Sequence, residues 1–214
     1  MAEWLGTALL LAVVVGSGIM AERLALGLDA VALLANTLAT GAGLTALILV
    51  IGPISGAHLN PAVTLIFALR RQLGVPAAGA YILAQVLGAV AGVWIAHLMF
   101  GEAILQASGK TRDGLPMILS EGIATFGLLV TILSTVRFRP SSTPFAVGLY
   151  ITAAYWFTAS TSFANPAVTL ARSLSNTFTG IAPSSVPAFV AAQFVGAIAA
   201  FGLFSWLSFR EGQQ

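Results

Sequence analysis

Cysteine is missing from this chain of 214 residues, which excludes disulfides and thiolate metal sites and leaves the redox compartment unread. Charge is nearly as scarce: Asp, Glu, Lys and Arg together make 7% of the sequence, against 58% hydrophobic residues. No soluble domain covers its surface with so little charge, so the chain reads as an integral membrane protein. The net charge of +2 is too small to draw a polyanion, and no nucleic-acid partner is expected. A basic leader region is absent as well. Glu3 stands where a signal peptide would carry Lys or Arg, so the first twenty residues read as a membrane span.

Apolar stretches long enough to cross a bilayer lie near residues 2–21, 31–51, 77–100, 115–136, 143–161 and 186–209. Between them, the breaks at 22–29, 101–114, 137–143 and 176–185 hold most of the charge, glycine and proline found outside the spans. Orientation follows from the basic residues. With both termini cytoplasmic, Arg70, Arg71, Arg137, Arg139 and Arg210 face inward against Glu211 alone, whereas Arg23, Lys110, Arg112 and Arg172 outside are balanced by Glu22, Asp29, Glu102 and Asp113.

One hexapeptide occurs twice without a mismatch, as Asn60 to Leu65 and as Asn165 to Leu170. In each copy Pro follows Asn at the end of an apolar segment, which predicts a helix with Asn as N-cap and Pro in the first turn. The two helices run to about Leu69 and Leu174. About ten residues at 1.5 Å rise give roughly 15 Å, half of a hydrocarbon core of about 30 Å, so two such helices meeting end to end cross it together.

The repeat extends further. Ala84-Gln85-x-x-Gly88-Ala89 matches Ala192-Gln193-x-x-Gly196-Ala197, and Glu3-x-x-Gly6-Thr7 is echoed by Glu121-x-x-Ala124-Thr125. Each half, about 1–100 and 115–210, then holds three spans and one half-span within a single transmembrane domain of residues 1–214. Three crossings per half force the second to enter upside down, and the repeat is inverted. The predicted fold is all-α, six transmembrane helices and two re-entrant half-helices.

Half-helices entering from opposite faces bring Asn60 and Asn165, with their positive dipole ends, together near the midplane. Non-helical backbone is tolerated at that depth only inside protein or beside water. Gly56, Ala57, His58 and Leu59, and the stretch Thr161 to Ala164 that includes Phe163, are therefore expected as extended segments lining a pore with their carbonyls. The asparagine amides add donors at its centre, a combination suited to neutral hydroxylated molecules, while the dipoles oppose cations. Nothing in the pattern performs chemistry, and neither enzyme activity nor a cofactor or metal is expected. Glu3 and Glu121 are intramembrane carboxylates that could couple protons in a secondary transporter; their repeat-related positions favour a structural role instead. His58 reads as pore-lining rather than as a pH switch. His97 reads as interfacial or packing, Trp4, Trp94 and Trp206 as interface anchors, and Trp156 and Phe157 as packing rather than substrate contacts.

The residues Ser-Gly-Ala-His-Leu-Asn-Pro-Ala-Val-Thr-Leu at 55–65 resemble the first signature of the aquaporin, or major intrinsic protein, family, and Asn165-Pro166-Ala167 is similar to the second. The resemblance covers essentially the whole chain. It implies that Asn60, Pro61, Ala62, Asn165, Pro166 and Ala167 form the pore centre, that Glu3 and Glu121 anchor the re-entrant loops by accepting their amide hydrogens, and that the protein is a homotetramer in a bacterial inner membrane.

The family usually has Arg three residues after the second asparagine, where this chain has Val168. Arg172 follows one turn farther out, about 6 Å along the axis, and is not expected to take that arginine's place. The other filter positions, carried over by spacing, are Thr40, Ala153 and Ser162; a one-residue slip would replace Ala153 with Thr152 or Ala154. All are small. The resemblance then implies a wide filter and a passive channel for glycerol-like polyols and metalloid hydroxides such as arsenous acid, with water as co-permeant. A strict water channel and an ammonia or urea pore are the neighbouring readings, and a proton-coupled transporter is the reading of another class.

Overall fold

The computed structural model describes residues 1–211, whose only regular secondary structure is helical, with no strand among them. The helices are α1 (Ala2–Ala25), α2 (Asp29–Ser55), α3 (Pro61–Leu69), α4 (Val75–Phe100), α5 (Leu115–Phe138), α6 (Thr143–Phe157), α7 (Pro166–Arg172) and α8 (Val186–Glu211). The side chains of Arg210 and Glu211, used above for orientation, lie outside the described residues.

Five helices, α1, α2, α4, α5 and α8, are long and apolar enough to cross a bilayer. The expected span 143–161 is shorter than that, because α6 stops at Phe157 after 15 residues. Its cause is local: Thr158 turns to an extended conformation while its hydroxyl donates back to Ala154 O at 2.7 Å, which frees the next residues to reach Glu121. A 3-10 turn at Pro140–Ser142 lengthens the helix at its other end.

Burial decides between the two readings of His97: it packs, fully buried, with its ring nitrogens 2.9 Å from Ser175 Oγ and 3.2 Å from Ile104 O, and so ties α4 to two connecting segments. Trp156 and Phe157 face outward from α6, about half exposed and away from the cavity.

Helix α1 packs against α4 and α5 against α8, the same pair in each half, with α2 against α6 joining the halves. The close approach depends on glycine. A Cβ on Gly92 would stand 2.1 Å from Ala8 O, and one on Gly196 would stand 2.1 Å from Gly122 O, both backbone atoms that cannot swing aside. Gly92→Ala is therefore expected to force α1 and α4 apart and to cost about 1–3 kcal/mol or more. Gly202→Ala on α8 is the control, because nothing lies within 4 Å of its Cβ position. Thermal melting in detergent checks the pair: a lowered midpoint for Gly92→Ala beside an unchanged or raised one for Gly202→Ala is expected, and equal midpoints would contradict the close-packing account.

The short helices cross over between the halves. Ala62, Val63 and Ile66 of α3 join the core of α5, α6 and α8, whereas Ala167, Val168 and Ala171 of α7 join the core of α1 and α4. Each half-helix completes the apolar core of the opposite repeat, which holds the two N-termini face to face.

Candidate functional site: a lined cavity through the bundle

Asn60 and Asn165 are the N-caps of α3 and α7. Asn60 Oδ1 accepts the Ala62 amide at 2.8 Å, and Asn165 Oδ1 accepts those of Ala167 and Val168 at 3.0 and 3.3 Å. Pro61 and Pro166 occupy the first turns, where a missing N–H costs nothing. The amide nitrogens then reach across. Asn60 Nδ2 donates to Ala164 O at 2.8 Å and Asn165 Nδ2 to Leu59 O at 2.7 Å, so each cap also ties down the opposite loop. One N–H of each amide remains for a solute.

The loops leading into the caps are not extended as expected. Gly56, Ala57 and Leu59 have φ of 85°, 46° and 47°, and their repeat partners Thr161, Ser162 and Ala164 have 63°, 51° and 47°. For non-glycine residues this left-handed backbone costs about 1–3 kcal/mol each and persists only where the surroundings over-determine it.

The carboxylates supply that determination. Glu3 Oε1 accepts Ser55 Oγ at 2.6 Å and the His58 amide at 3.0 Å, while Oε2 accepts the Leu59 amide at 2.7 Å and Gln85 Nε2 at 2.8 Å. Glu121 repeats the pattern: Oε1 accepts Ser160 Oγ at 2.5 Å and the Phe163 amide at 2.9 Å, and Oε2 accepts the Ala164 amide at 2.9 Å and Gln193 Nε2 at 2.6 Å. Four donors fill the four lone-pair sites of each carboxylate. With the amides drawn to one side, the carbonyls of Gly56, Ala57, His58, Ser162 and Phe163 receive no donor from the described residues.

Those residues line a cavity of about 110 Å³ that continues through the bundle from Phe67, Val136 and Thr143 at one end to Tyr155 and Arg172 at the other. A water needs roughly 10–15 Å³ of such space, so the cavity holds a short file of waters rather than one trapped molecule. Its walls are two-sided. Gly56 to Asn60 and Ser162 to Asn165 contribute the polar groups, and Leu10, Val14, Leu44, Ile48, Val63, Leu128, Ile132, Val147 and Ile151 contribute apolar surface. His58 is part of the lining, with Nδ1 3.2 Å from Thr64 Oγ1 and its ring 4.6 Å from that of Phe67.

Of the residues carried over by spacing, Thr40, Ser162 and Val168 are buried and line the cavity at one level. The Ser162 hydroxyl has no partner among the described residues. Ala153 does not join them: it lies exposed on the outer face of α6, and Thr152 and Ala154 are not in the lining either. Ile151 and Tyr155, one turn apart, face inward instead, and the Tyr155 hydroxyl donates to Thr40 Oγ1 at 3.3 Å. The spacing points to Ala153, with Thr152 or Ala154 one slip away, whereas the inward-facing positions lie two residues to either side of it. An aromatic ring therefore stands where a small residue was expected.

Two arginines cluster at this end, of which Arg172 lines the cavity and Arg112 does not. Arg172 lines the cavity one turn beyond Val168, lies 3.3 Å from the Phe163 ring centroid and donates from Nε to Thr179 O. Arg112, from the loop between α4 and α5, lies 5.0 Å from the same centroid and donates to Gly180 O at 2.9 Å and Ser160 O at 3.2 Å. Burial lowers the Arg112 pKa against an upward pull from Glu121 and Tyr155, and a guanidinium starting so high stays charged. The role of Arg112 had no local signal, since its partners lie 48 and 68 residues away in sequence.

The sequence profile of the major intrinsic protein family matches residues 1–162. Aquaglyceroporin AqpS of Rhizobium meliloti (strain 1021) is 58% identical over 206 residues, 96% of this chain and 88% of that protein. Human Aquaporin-5 is 34% identical over 128 residues, 54% of this chain and 47% of its own. In fold, the aquaglyceroporin from Plasmodium falciparum superposes with a TM-score of 0.77 at 23% identity, covering 95% of this chain and 93% of that one. The duplicated caps, the lined cavity and the match over three quarters of the chain agree: this chain belongs to the major intrinsic protein family.

Proposed function

We propose that the chain is a passive transmembrane channel that conducts water and small uncharged hydroxylated solutes such as glycerol along the lined cavity. The observation that carries this reading is the two-sided wall. Free carbonyls and the Asn60 and Asn165 amides replace hydration on one face, while the apolar face lets the solute slide without being held. Asn60-Pro61-Ala62 and Asn165-Pro166-Ala167 form the centre of the path. Thr40, Tyr155, Ser162 and Val168 form its constriction, with two hydroxyls and a phenol facing a solute that carries hydroxyls of its own. Glu3 and Glu121 act as loop anchors. With every acceptor site engaged by loop and helix donors, neither carboxylate has a vacancy for the carrier step of a proton-coupled transporter.

Arsenous acid, neutral near pH 7 with three hydroxyls arranged much like those of a polyol, belongs to the same solute class. The protein sits in the cell membrane of a bacterium with both termini cytoplasmic, as a homotetramer with one pore per protomer. Arg70, Arg71, Arg137 and Arg139 at the ends of α3 and α5 support that orientation.

Stopped-flow measurements on proteoliposomes with water, glycerol, urea and arsenite test the function. Fast, non-saturating glycerol flux is expected; water flux alone would leave a strict water channel. Asn60→Ala together with Asn165→Ala should lower solute flux or the yield of folded protein, because each removes a cap of about 0.5–2 kcal/mol and also a cross-tie. A double variant with native yield, native flux and native proton exclusion would sink the pore assignment.

A further inference from the structure

We propose that Arg112 and Arg172, both set over Phe163, form the cation barrier of the outer mouth, one turn beyond the level of Val168. The proposal rests on the cavity being the conduction path. Val168 leaves that level without a fixed charge, yet two guanidiniums stand just outside it on the ring of a cavity-lining phenylalanine. Both side chains are buried, and Phe189 backs Phe163 edge-on at 5.4 Å between centroids, so the platform is rigid.

The partners of the two arginines matter as much as their position. Ser160, Thr179 and Gly180 offer only backbone carbonyls, which take two N–H groups of Arg112 and one of Arg172 and leave the positive charge uncancelled. Among the described residues no carboxylate comes within ion-pair distance of either arginine. Glu121 acts on both electrostatically, but its oxygens already hold four donors of the re-entrant loop and α8. Lys110, over Phe178 and bonded to Phe178 O, adds a third cation to the same end and is countered by Glu22 and Asp29.

A cation entering here meets the two guanidiniums well inside a Debye length of about 10 Å, between low-dielectric walls that focus their field. A neutral hydroxylated solute meets Arg172, which lines the cavity, as a hydrogen-bond donor. Charge rejection and size selection, which a single arginine at position 168 would combine, are thus separated along the axis. The inner level stays open to larger solutes without admitting ions.

Urea and the guanidinium ion are close to the same size and shape and differ in charge, which makes them the probe pair. Proteoliposomes holding matched amounts of native protein, Arg112→Met, Arg172→Met and the double variant are loaded with both, and glycerol flux is recorded in the same vesicles. The native channel is expected to pass glycerol and to hold guanidinium back. Whatever its absolute glycerol flux, the double variant should raise the guanidinium-to-glycerol ratio by about tenfold or more, a change of about 1.4 kcal/mol in the barrier. Arg112→Lys and Arg172→Lys, which keep the charge, should stay near the native ratio. Guanidinium leak through the native protein, or an unchanged ratio in a double variant that still passes glycerol, overturns the barrier and leaves the conduction reading intact. If the double variant does not assemble, Arg112→Met alone decides, since Arg112 lies on a loop: a several-fold rise supports the proposal and an unchanged ratio ends it. If no neutral solute passes even the native protein, the conduction reading fails and takes the barrier with it.

Discussion

Val168→Arg is expected to reduce glycerol flux on the order of tenfold while water flux falls much less, so that selectivity moves towards water. Val168 lies in the first turn of α7, nearly buried, on the cavity at the level of Thr40, Ser162 and Tyr155. It offers no donor and leaves the width of that level to its neighbours. A guanidinium there would occupy much of the opening and add several donors. It would also stand four residues before Arg172, where like charges on one helix face repel, so the new side chain would extend into the cavity rather than lie along the helix. The Tyr155 ring strengthens the effect, because the opening to be filled is narrower than Thr40, Ser162 and a small residue on α6 would have left it. Stopped-flow swelling with water, glycerol and one larger polyol, on vesicles with matched protein, makes the measurement. An unchanged solute-to-water ratio would mean that Val168 is not at the constriction.

Glu121→Gln should be nearly as damaging, although a glutamine keeps an acceptor and by sequence alone would be expected to spare downhill flux. The geometry reverses that expectation. Each Glu121 oxygen accepts one backbone amide and one side-chain donor, so whichever way the glutamine amide turns, its NH₂ meets the N–H of Phe163 or Ala164 and cannot accept it, while the Ser160 hydroxyl or the Gln193 amide must turn round to accept instead. Leaving one buried N–H unsatisfied costs about 1–3 kcal/mol, a sizeable share of a net stability of about 5–15 kcal/mol. The loop concerned contains the left-handed residues Thr161, Ser162 and Ala164, which are otherwise held by turn bonds to Thr158 and Ser160 and by the Asn60 amide on Ala164 O. A lower melting midpoint in detergent is expected together with a marked loss of glycerol flux. Glu3→Gln should behave alike through the matching bonds to His58, Leu59, Ser55 and Gln85. A Glu121→Gln variant of native stability and flux would contradict the anchoring role. Uphill solute accumulation driven by a pH gradient in the native protein, and lost in the variant, would establish coupled transport instead.

Much of the architecture was legible because its signals are local. An asparagine followed by proline before an apolar run specifies a capped helix through bonds that span two or three residues, and both copies form as read, at Pro61–Leu69 and Pro166–Arg172. Paired glutamate and Gln-x-x-Gly motifs marked the repeat because each is a short cluster on one helix face. Thr40, Ser162 and Val168 could be placed on the cavity by counting, since each is separated from its asparagine by a loop or helix of fixed register.

Other features depended on contacts between distant segments. Only the packing of α6 against α2 brings Tyr155, rather than Ala153, to Thr40, 115 residues apart in the chain. Nothing near Arg112 indicates that its loop will bring it to Phe163, and nothing in the hexapeptides indicates that α3 and α7 exchange places to fill each other's cores. The left-handed backbone before each cap likewise depends on a carboxylate from another helix that collects the amides. The sequence by itself determined the spans, the half-helices and the inversion, since hydrophobic periodicity and helix caps are set within a few residues. The side chains that meet at the mouth, and the width left between them, were decided by the tertiary structure, because they depend on bonds and packing that close over 48 to 115 residues of chain.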